Sequence, residues 1–243
     1  MKRPLKILLL AGNTMRARAY AQNFSNLDKF EYNIQGLFYG FEHRKANPPN
    51  LDNTTKNFFI NEHLFIPNLS EDLHETFTKH KWNFKEAKSE DVNGEEVMSL
   101  IESFEIDIIV FAGYGGQILR SRHFRSNNMY LHMHPGKLPI ERGSTTIFYS
   151  ILNQRKCTVT AFYMTDKIDE GKNILFKEYT IPSKGVDIDQ WYDNIIRADC
   201  FVNAVQIIRN NEFLEKGLVD ESEEYYVIHP VLKHVALLSL KTP

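Results

Sequence analysis

Short runs of mostly apolar residues constrain the fold of this 243-residue chain more than any other feature. Three of them, Leu5–Leu10, Ile106–Ala112 and Met129–Leu131, lie shortly before residues that favour turns or tight loops. Continuous apolar runs of this kind are typical of strands that are buried on both faces of a parallel sheet. Helical spacing over Met15–Phe24 and Glu95–Phe104 completes a repeated β-α-β pattern. The sequence therefore predicts an α/β fold with a doubly wound, mostly parallel sheet.

The domain organisation predicted from the chain is simple. We expect one catalytic domain over residues 1–210, closed by a long helical stretch over Asp189–Arg209, and a C-terminal extension over residues 211–243 packed on the same domain. Apolar residues in that extension, at Val231–Leu232 and Val235–Leu238, are explained equally well by core packing and by a homodimer interface.

Composition excludes some classes of protein. A hydrophobic fraction of 42% with 17 Phe and 11 Tyr is enough for a large core, so disorder is not expected. The 29 basic and 31 acidic residues nearly cancel, and no long basic block is present. The chain therefore lacks the electrostatic pattern of a general nucleic-acid binder. Two cysteines, Cys157 and Cys200, have no metal-type spacing and fit a reduced, cytoplasmic protein.

The first residues of the chain superficially resemble a signal peptide. Their apolar stretch is short, and Gly12-Asn13-Thr14 follows at once without a small-residue cleavage site, so a buried first strand is favoured. No apolar run approaches the ~20 residues that a membrane span needs. We therefore expect a soluble protein that has no membrane partner.

Two histidines lie at the end of the third apolar run. His132 and His134 are two residues apart, and positions i and i+2 of a strand point to the same face. Pro135-Gly136 then ends the strand. The sequence therefore predicts two imidazoles at the carboxyl end of a strand, where open α/β sheets bind their ligands.

A second polar segment, residues 166–174, lies between two predicted strands and carries Asp169 two positions before Gly171. A carboxylate beside an imidazole stabilises the charged form of the ring. Such a pair can stabilise an oxyanion and accept a proton from an attacking amine. The ordinary alternatives are surface histidines and a common Asp-x-Gly hairpin turn.

A zinc site is the competing interpretation of the two histidines. It needs further ligands such as Asp169, His123 or Cys157. No second clustered motif supplies them, so we expect no metal. The glycine-rich segment after the second apolar run lets the backbone approach a ligand closely, although it has neither the Walker nor the G-x-G-x-x-G spacing.

Together these segments resemble the folate-dependent formyltransferases, the superfamily of the glycinamide ribonucleotide and methionyl-tRNA formyltransferases. Its signature is Asn-x-His, then Pro, Leu-Pro and Arg-Gly, with Asp-x-Gly about thirty-five residues further on. The matching residues here are His134-Pro135, Leu138-Pro139, Arg142-Gly143 and Asp169-x-Gly171. The resemblance covers residues 104–182 well and the first strand loosely.

The resemblance implies a role for each site residue. His134 is the catalytic histidine that stabilises a tetrahedral oxyanion, and Asp169 holds His134 and helps to remove the amine proton. N10-formyltetrahydrofolate is the implied formyl donor and co-substrate, and no metal is implied. Its implied contacts are Gly113, Tyr114, Gly115, Gly116, Gln117, Lys167, Ile168 and Gly171.

One position departs from the family pattern, because His132 replaces the family asparagine. An imidazole donates a hydrogen bond only in a suitable tautomer or when it is protonated. We also count His132 among the catalytic residues. Three alternatives stay open for the replacement, namely that it preserves formyl transfer, that it alters the transfer or that it abolishes the transfer.

The implied acceptor is the amino group of a nucleotide-linked amino-deoxysugar, such as dTDP-4-amino-4,6-dideoxyglucose, for bacterial surface polysaccharide. Family members with this activity resemble the chain in length and in their modest C-terminal extension, whereas the methionyl-tRNA enzyme carries a further domain. Two alternatives stay open. One is a related one-carbon or acyl transferase or hydrolase with another amine substrate, and the other is a catalytically silent folate- or nucleotide-binding relative.

Overall fold

The computed structural model of the chain describes residues 3–44, 46–125, 128–211 and 223–241. The strands are β1 (Leu5–Gly12), β2 (Tyr32–Tyr39), β3 (Phe84–Ala87), β4 (Ile108–Ala112), β5 (Met129–His134), β6 (Glu141–Gly143), β7 (Cys157–Met164), β8 (Gly171–Tyr179) and β9 (Glu223–Tyr225). The helices are α1 (Met15–Phe24), α2 (Asn53–Asn61), α3 (Leu73–His80), α4 (Glu95–Glu102), α5 (Thr146–Asn153), α6 (Asp193–Asn210) and α7 (Pro230–Leu238).

A mixed, mostly parallel sheet contains the longer strands, in the order β3-β2-β1-β4-β5-β7-β8. Parallel pairing joins β1 to both β2 and β4, with Leu5 opposite Tyr32 and Ile7 opposite Ile108. The chain continues from β1 toward one edge of the sheet and returns at β4 to fill the other side. This topology confirms the predicted doubly wound α/β fold.

The chain separates into two compact units. The first contains Met1–Pro48, Pro67–His132 and Tyr163–Asp166, and the second contains Pro49–Ile66, Met133–Phe162 and Lys167–Pro243. The core of the first unit combines the fully buried inner positions of β1, β2 and β4 with the apolar face of α4. Thr14 precedes helix α1 and caps it, because its hydroxyl accepts a hydrogen bond from the Ala17 amide.

The second unit carries a small parallel sheet of β6 and β9. Gly143 in β6 lies opposite Tyr225, with φ of +106°, a conformation that favours glycine. Helix α6 packs against β8 and follows directly on a π-helical turn at Ile188–Tyr192. That turn and α6 together cover the whole predicted stretch Asp189–Arg209.

The segment after β4 contains a single 3₁₀ turn at Ser121–Phe124, and Gly116 before it has a φ of +80°. The predicted C-terminal extension lies partly at residues 212–222 and 242–243, outside the described residues. Within the part of the chain that the structure describes, no helix is long and apolar enough to cross a membrane.

Candidate active site

His134 is the last residue of β5 and is almost completely buried, with 2% of its surface exposed. Its Nε2 lies 2.6 Å from the main-chain oxygen of Glu141. Its Nδ1 lies 3.5 Å from Oδ1 of Asp169. Because a carbonyl oxygen only accepts hydrogen bonds, Nε2 carries a proton in this arrangement. Both ring nitrogens therefore face oxygen atoms of the protein.

The strand end beside His134 is held from helix α6. Arg197 donates from Nε to the Met133 carbonyl at 2.8 Å, and it also pairs with Asp193 at 3.1 Å. Arg197 is buried, so its charge is compensated within the protein by the Asp193 carboxylate. The main chain immediately before the imidazole is thus held by Arg197, which a partly buried ion pair with Asp193 keeps in place.

Asp169 lies in the loop before β8, and two backbone features orient its carboxylate, its own left-handed φ and the Gly143 amide. The residue has a left-handed conformation with φ of +51°, which aspartate tolerates better than most side chains. Its Oδ2 accepts a hydrogen bond from the Gly143 amide at 2.8 Å. About a seventh of the side chain, 14%, remains exposed. The carboxylate is therefore oriented by two neighbours and is still open to a third.

Opposing effects act on the protonation of His134. Burial lowers the pKa of the imidazole, while the Asp169 carboxylate and the Glu141 carbonyl raise it. Burial is the largest of these effects, so the pKa lies below its ordinary value. A neutral ring with its proton on Nε2 places the Nδ1 lone pair toward Asp169. A proton arriving at that carboxylate can then be shared with His134.

His132 belongs to the first unit and is half-buried in β5. Its Nδ1 lies 3.3 Å from the carbonyl oxygen of Phe111, and the two rings lie 6.1 Å apart. A carbonyl acceptor again requires the proton on the facing nitrogen, here Nδ1. Nε2 of a neutral His132 then carries a lone pair rather than a hydrogen.

The predicted folate segment after β4 also belongs to the first unit. Tyr114 is buried, and its hydroxyl accepts from the Asn13 amide at 2.9 Å and donates to the Tyr39 carbonyl at 3.2 Å. Gln117 accepts a hydrogen bond from the Tyr39 hydroxyl and donates to the Glu90 carbonyl. These two side chains are therefore held by the protein itself.

The glycines of this segment have two different environments. Gly113 is enclosed, because an added Cβ would collide with Tyr39 and Phe111, and its carbonyl accepts from Arg16 at 2.6 Å. At Gly115 and Gly116, by contrast, an added Cβ would meet no atom within 4 Å. The backbone is therefore open to a ligand at Gly115 and Gly116.

The other predicted folate contacts lie beside Asp169 in the second unit. The side chain of Lys167 is 72% exposed and pairs with Glu170 at 3.4 Å, and Ile168 is exposed. Gly171 begins β8 with φ of +156°. Glu170 also binds Arg142 at 2.6 Å, which ties the loop to β6. Lys167, Ile168 and Gly171 thus lie on a loop held by the Arg142–Glu170 ion pair, and the side chains of Lys167 and Ile168 are exposed to solvent.

Sequence reasoning did not single out the residues that enclose His134. They include Glu141, which binds the ring through its main chain, and Thr146, whose hydroxyl lies 3.4 Å from Nε2. An added Cβ at Gly136 would lie 2.9 Å from the same nitrogen. Gly136 and Glu141 lie inside the His134–Gly143 motif, and Thr146 lies three residues beyond it. Among residues 3–44, 46–125, 128–211 and 223–241, no group of three or more His, Cys, Asp or Glu side chains is arranged to hold a metal ion.

Comparison with known proteins decides the family of this chain. A family model described as formyl transferase matches residues 63–199, which is more than half of the sequence. This chain belongs to the formyl transferase family. The matched region contains His134 and Asp169.

Individual relatives of this formyltransferase are distant. The methionyl-tRNA formyltransferase of Orientia tsutsugamushi (strain Boryong) is 28% identical over 116 residues, which are 46% of this chain and 38% of that enzyme. The chain thus spans well under half the length of that curated relative.

Two solved structures share the fold at low sequence identity. A sugar N-formyltransferase from Shewanella sp FDAARGOS_354 has a TM-score of 0.59 and 16% identity, covering 97% of this chain and 87% of that one. An N-formyltransferase from Helicobacter canadensis, in complex with folinic acid and dTDP-3-aminofucose, has a TM-score of 0.54 and 17% identity, covering 90% and 70%. Both support the same α/β architecture.

Proposed function

We propose that this formyltransferase moves the formyl group of N10-formyltetrahydrofolate to the amino group of a nucleotide-linked amino-deoxysugar. One observation carries the chemistry of the proposal. A partly exposed carboxylate, Asp169, lies 3.5 Å from the buried imidazole of His134 and is oriented by the Gly143 amide at 2.8 Å.

Proton transfer is the main task for these residues. In the reaction, the amine nitrogen forms a bond to the formyl carbon, and the bond from that carbon to N10 of the donor breaks. One proton must leave the amine and one must be added to N10. Asp169 accepts the amine proton, because its carboxylate is both oriented and open. His134 faces this carboxylate with the Nδ1 lone pair, so it shares the proton after that transfer.

His134 cannot donate a hydrogen bond to an oxyanion in the observed conformation, because both of its ring nitrogens already face protein atoms. Its Nε2 hydrogen is directed to the Glu141 carbonyl, and its Nδ1 faces Asp169. A direct hydrogen bond to the formyl oxygen requires the ring to release one of these partners. In the observed conformation, His134 therefore acts through Asp169.

The proposed donor contacts comprise two groups of residues. In the first unit they are the segment Gly113–Gln117, where Gly115 and Gly116 leave the backbone open. In the second unit they are Lys167, Ile168 and Gly171 on the Asp169 loop. Folinic acid in the Helicobacter canadensis structure supports a folate as the co-substrate class.

The amino-sugar acceptor is supported by the shared fold and by the charge of the chain. The Shewanella sugar N-formyltransferase is covered over 87% of its chain, and a net charge of −2 offers no general affinity for nucleic acid. A methionyl-tRNA acceptor is the second candidate, because it is the named acceptor of the curated relative at 28% identity. The cytoplasmic location, the homodimer and the role in surface polysaccharide stay predictions.

The direct test is formyl transfer with purified protein. We expect formylated product by mass spectrometry when the donor is supplied with a panel of nucleotide-linked amino sugars, and none with methionyl-tRNA. His134→Ala and Asp169→Asn should each lower kcat at least about 100-fold, as expected when proton transfer is lost. Near-normal rates in either variant would contradict the assignment. The reverse acceptor preference would favour the second candidate.

A further inference from the structure

Glu141 is a fully buried acid beside the candidate active site. Its Oε2 accepts hydrogen bonds from the Lys137 amide at 2.9 Å and from the Ser150 hydroxyl at 2.7 Å. None of the residues that the structure describes places a hydrogen-bond partner on Oε1. Burial raises the pKa of this carboxyl, which favours its neutral form. Burying a carboxyl group costs free energy of desolvation unless it has hydrogen-bond partners. The hydrogen bonds from Lys137 and Ser150 offset most of that cost for Glu141.

Two hydrogen bonds between Glu141 and Lys137 join the ends of the short loop of residues 137–141. The Glu141 amide donates to the Lys137 carbonyl at 2.9 Å, and the Lys137 amide donates to the Glu141 side chain. Ser150 on α5 provides a third point of attachment. The peptide group of Glu141 is therefore held from both sides of the loop and from a helix.

The main-chain carbonyl of Glu141 is the hydrogen-bond acceptor for the His134 ring. It accepts from Nε2 at 2.6 Å, which places the imidazole proton on Nε2 and directs Nδ1 to Asp169. Gly136 packs over the same bond, since an added Cβ would lie 2.9 Å from Nε2 and 3.1 Å from the Glu141 carbonyl. The ring thus has little freedom to rotate or to exchange tautomers.

We propose that Glu141 is a positioning residue for His134, and the proposal rests on the proposed function of that site. The Glu141 side chain anchors the loop of residues 137–141 to α5, and its main-chain carbonyl thereby fixes the tautomer of the imidazole. Other charged groups near His134 are Asp169, Arg197 and Asp193, and none of them contacts Nε2. The tautomer is therefore assigned to the Glu141 carbonyl rather than to the charges.

The test uses Glu141→Leu, the conservative variant Glu141→Gln and the matched control Glu178→Gln. Glu178 is an exposed acid of the same unit that pairs with Lys156. Nitrogen-15 NMR of the imidazoles reports the tautomer, with the His134 signal assigned from a His134→Gln spectrum. Steady-state kinetics separate kcat from KM.

We expect the wild-type spectrum to show His134 with its proton on Nε2. Glu141→Leu should give a mixture of tautomers and a kcat about 100-fold lower, the scale of a loss of positioning, with each KM within about twofold of wild type. Glu141→Gln keeps an acceptor for the Lys137 amide and Ser150, so it should restore one tautomer and most of kcat. The control should match wild type in both measurements.

A folded Glu141→Leu variant with a single Nε2 tautomer and a wild-type kcat would overturn the proposal. If that variant does not fold, Ser150→Ala removes one of the two donors to the carboxylate, and we expect a broadened His134 signal and a kcat lowered about threefold to tenfold. An unchanged signal and rate would again overturn it. The NMR measurement needs no substrate. A wild-type enzyme that formylates no amine would therefore refute the proposed function and still leave the positioning of His134 measurable.

Discussion

Two histidines that are two residues apart on β5 have different surroundings. His134 is buried, and its ring nitrogens face the Glu141 carbonyl and the Asp169 carboxylate. His132 is half-buried, and its Nδ1 faces the Phe111 carbonyl. In its neutral form His132 therefore has no hydrogen on Nε2 to donate to an oxyanion. It gains that donor only when the ring takes up a second proton.

This difference bears on the effect of His132 on the reaction. We expect His132→Asn to raise kcat about tenfold, because an amide donates a hydrogen bond without a change of tautomer and an oxyanion donor is worth about 100-fold or more. Steady-state kinetics of both proteins measure this effect. A collapse of activity in the variant would instead show that His132 has a role of its own.

At the residue scale, the sequence predicts the two groups that carry the chemistry but not those that hold them. His134 and Asp169 belong to a recognisable motif, and the structure brings them together. Glu141 and Thr146 act through a main-chain carbonyl and a hydroxyl that only the folded loop brings to the ring. No periodicity or spacing indicates such contacts.

Among the elements, the small sheet of β6 and β9 depends on Gly143. This residue combines a positive φ with a close approach to the Tyr225 carbonyl, which an added Cβ would strike. Its amide also binds Asp169. One glycine therefore joins a strand pairing to the orientation of the candidate catalytic carboxylate.

Gly143→Ala should destabilise the protein and lower kcat together. Gly185→Ala is the matched control, because Gly185 also has a positive φ but its nearest contact would be Thr54 at 3.4 Å. We expect the control to cost about 1 kcal/mol of unfolding free energy from backbone strain, and Gly143→Ala to cost at least about 2 kcal/mol more from overpacking. Urea unfolding measures both. Equal losses in the two variants would show that the Tyr225 contact is unimportant.

Element prediction succeeded where the pattern was long. Helix α1 has the bounds that its helical spacing predicts, and β1 begins at the predicted Leu5. Strands β3, β6 and β9 have only three or four residues, too few for a period of two to be recognised. Helix α2 buries only Thr55 and Phe59, so its amphipathic signal is weak.

The stability of the whole molecule should depend on a buried histidine that has no role in the proposed chemistry. His123 is fully buried, and its Nδ1 lies 2.9 Å from the Tyr130 hydroxyl. Burial lowers its pKa from 6.5 to about 4. Between these values the unfolded chain binds a proton that the folded protein does not. Stability is therefore complete above pH 6.5 and is lost progressively as the pH falls toward 4.

We expect this one residue to reduce the free energy of unfolding by about 1.5 kcal/mol between pH 6.5 and pH 5. Urea unfolding of wild type and His123→Gln at both pH values measures the contribution by difference, so that other titrating groups cancel. The variant should be less stable at pH 6.5 and show a flatter dependence on pH. The same slope in both proteins would contradict the assignment to His123.

At the scale of the whole molecule, the doubly wound sheet follows from the apolar runs, because buried parallel strands must be nearly continuous in apolar residues. The two compact units do not follow from them. Each unit is assembled from separated stretches of the chain, and no linker or change of composition accompanies the passage between stretches.

The left-handed backbone of Asp169 also determines which substitutions can be interpreted at that position. Asparagine and glycine adopt this conformation readily, whereas a longer or β-branched side chain would strain the loop or change its course. A glutamate would keep the charge but not the geometry. Asparagine keeps the shape of aspartate but removes its negative charge and its ability to accept a proton. An inactive Asp169→Asn enzyme with an unchanged fold would therefore report the chemistry of the carboxylate and nothing about the loop.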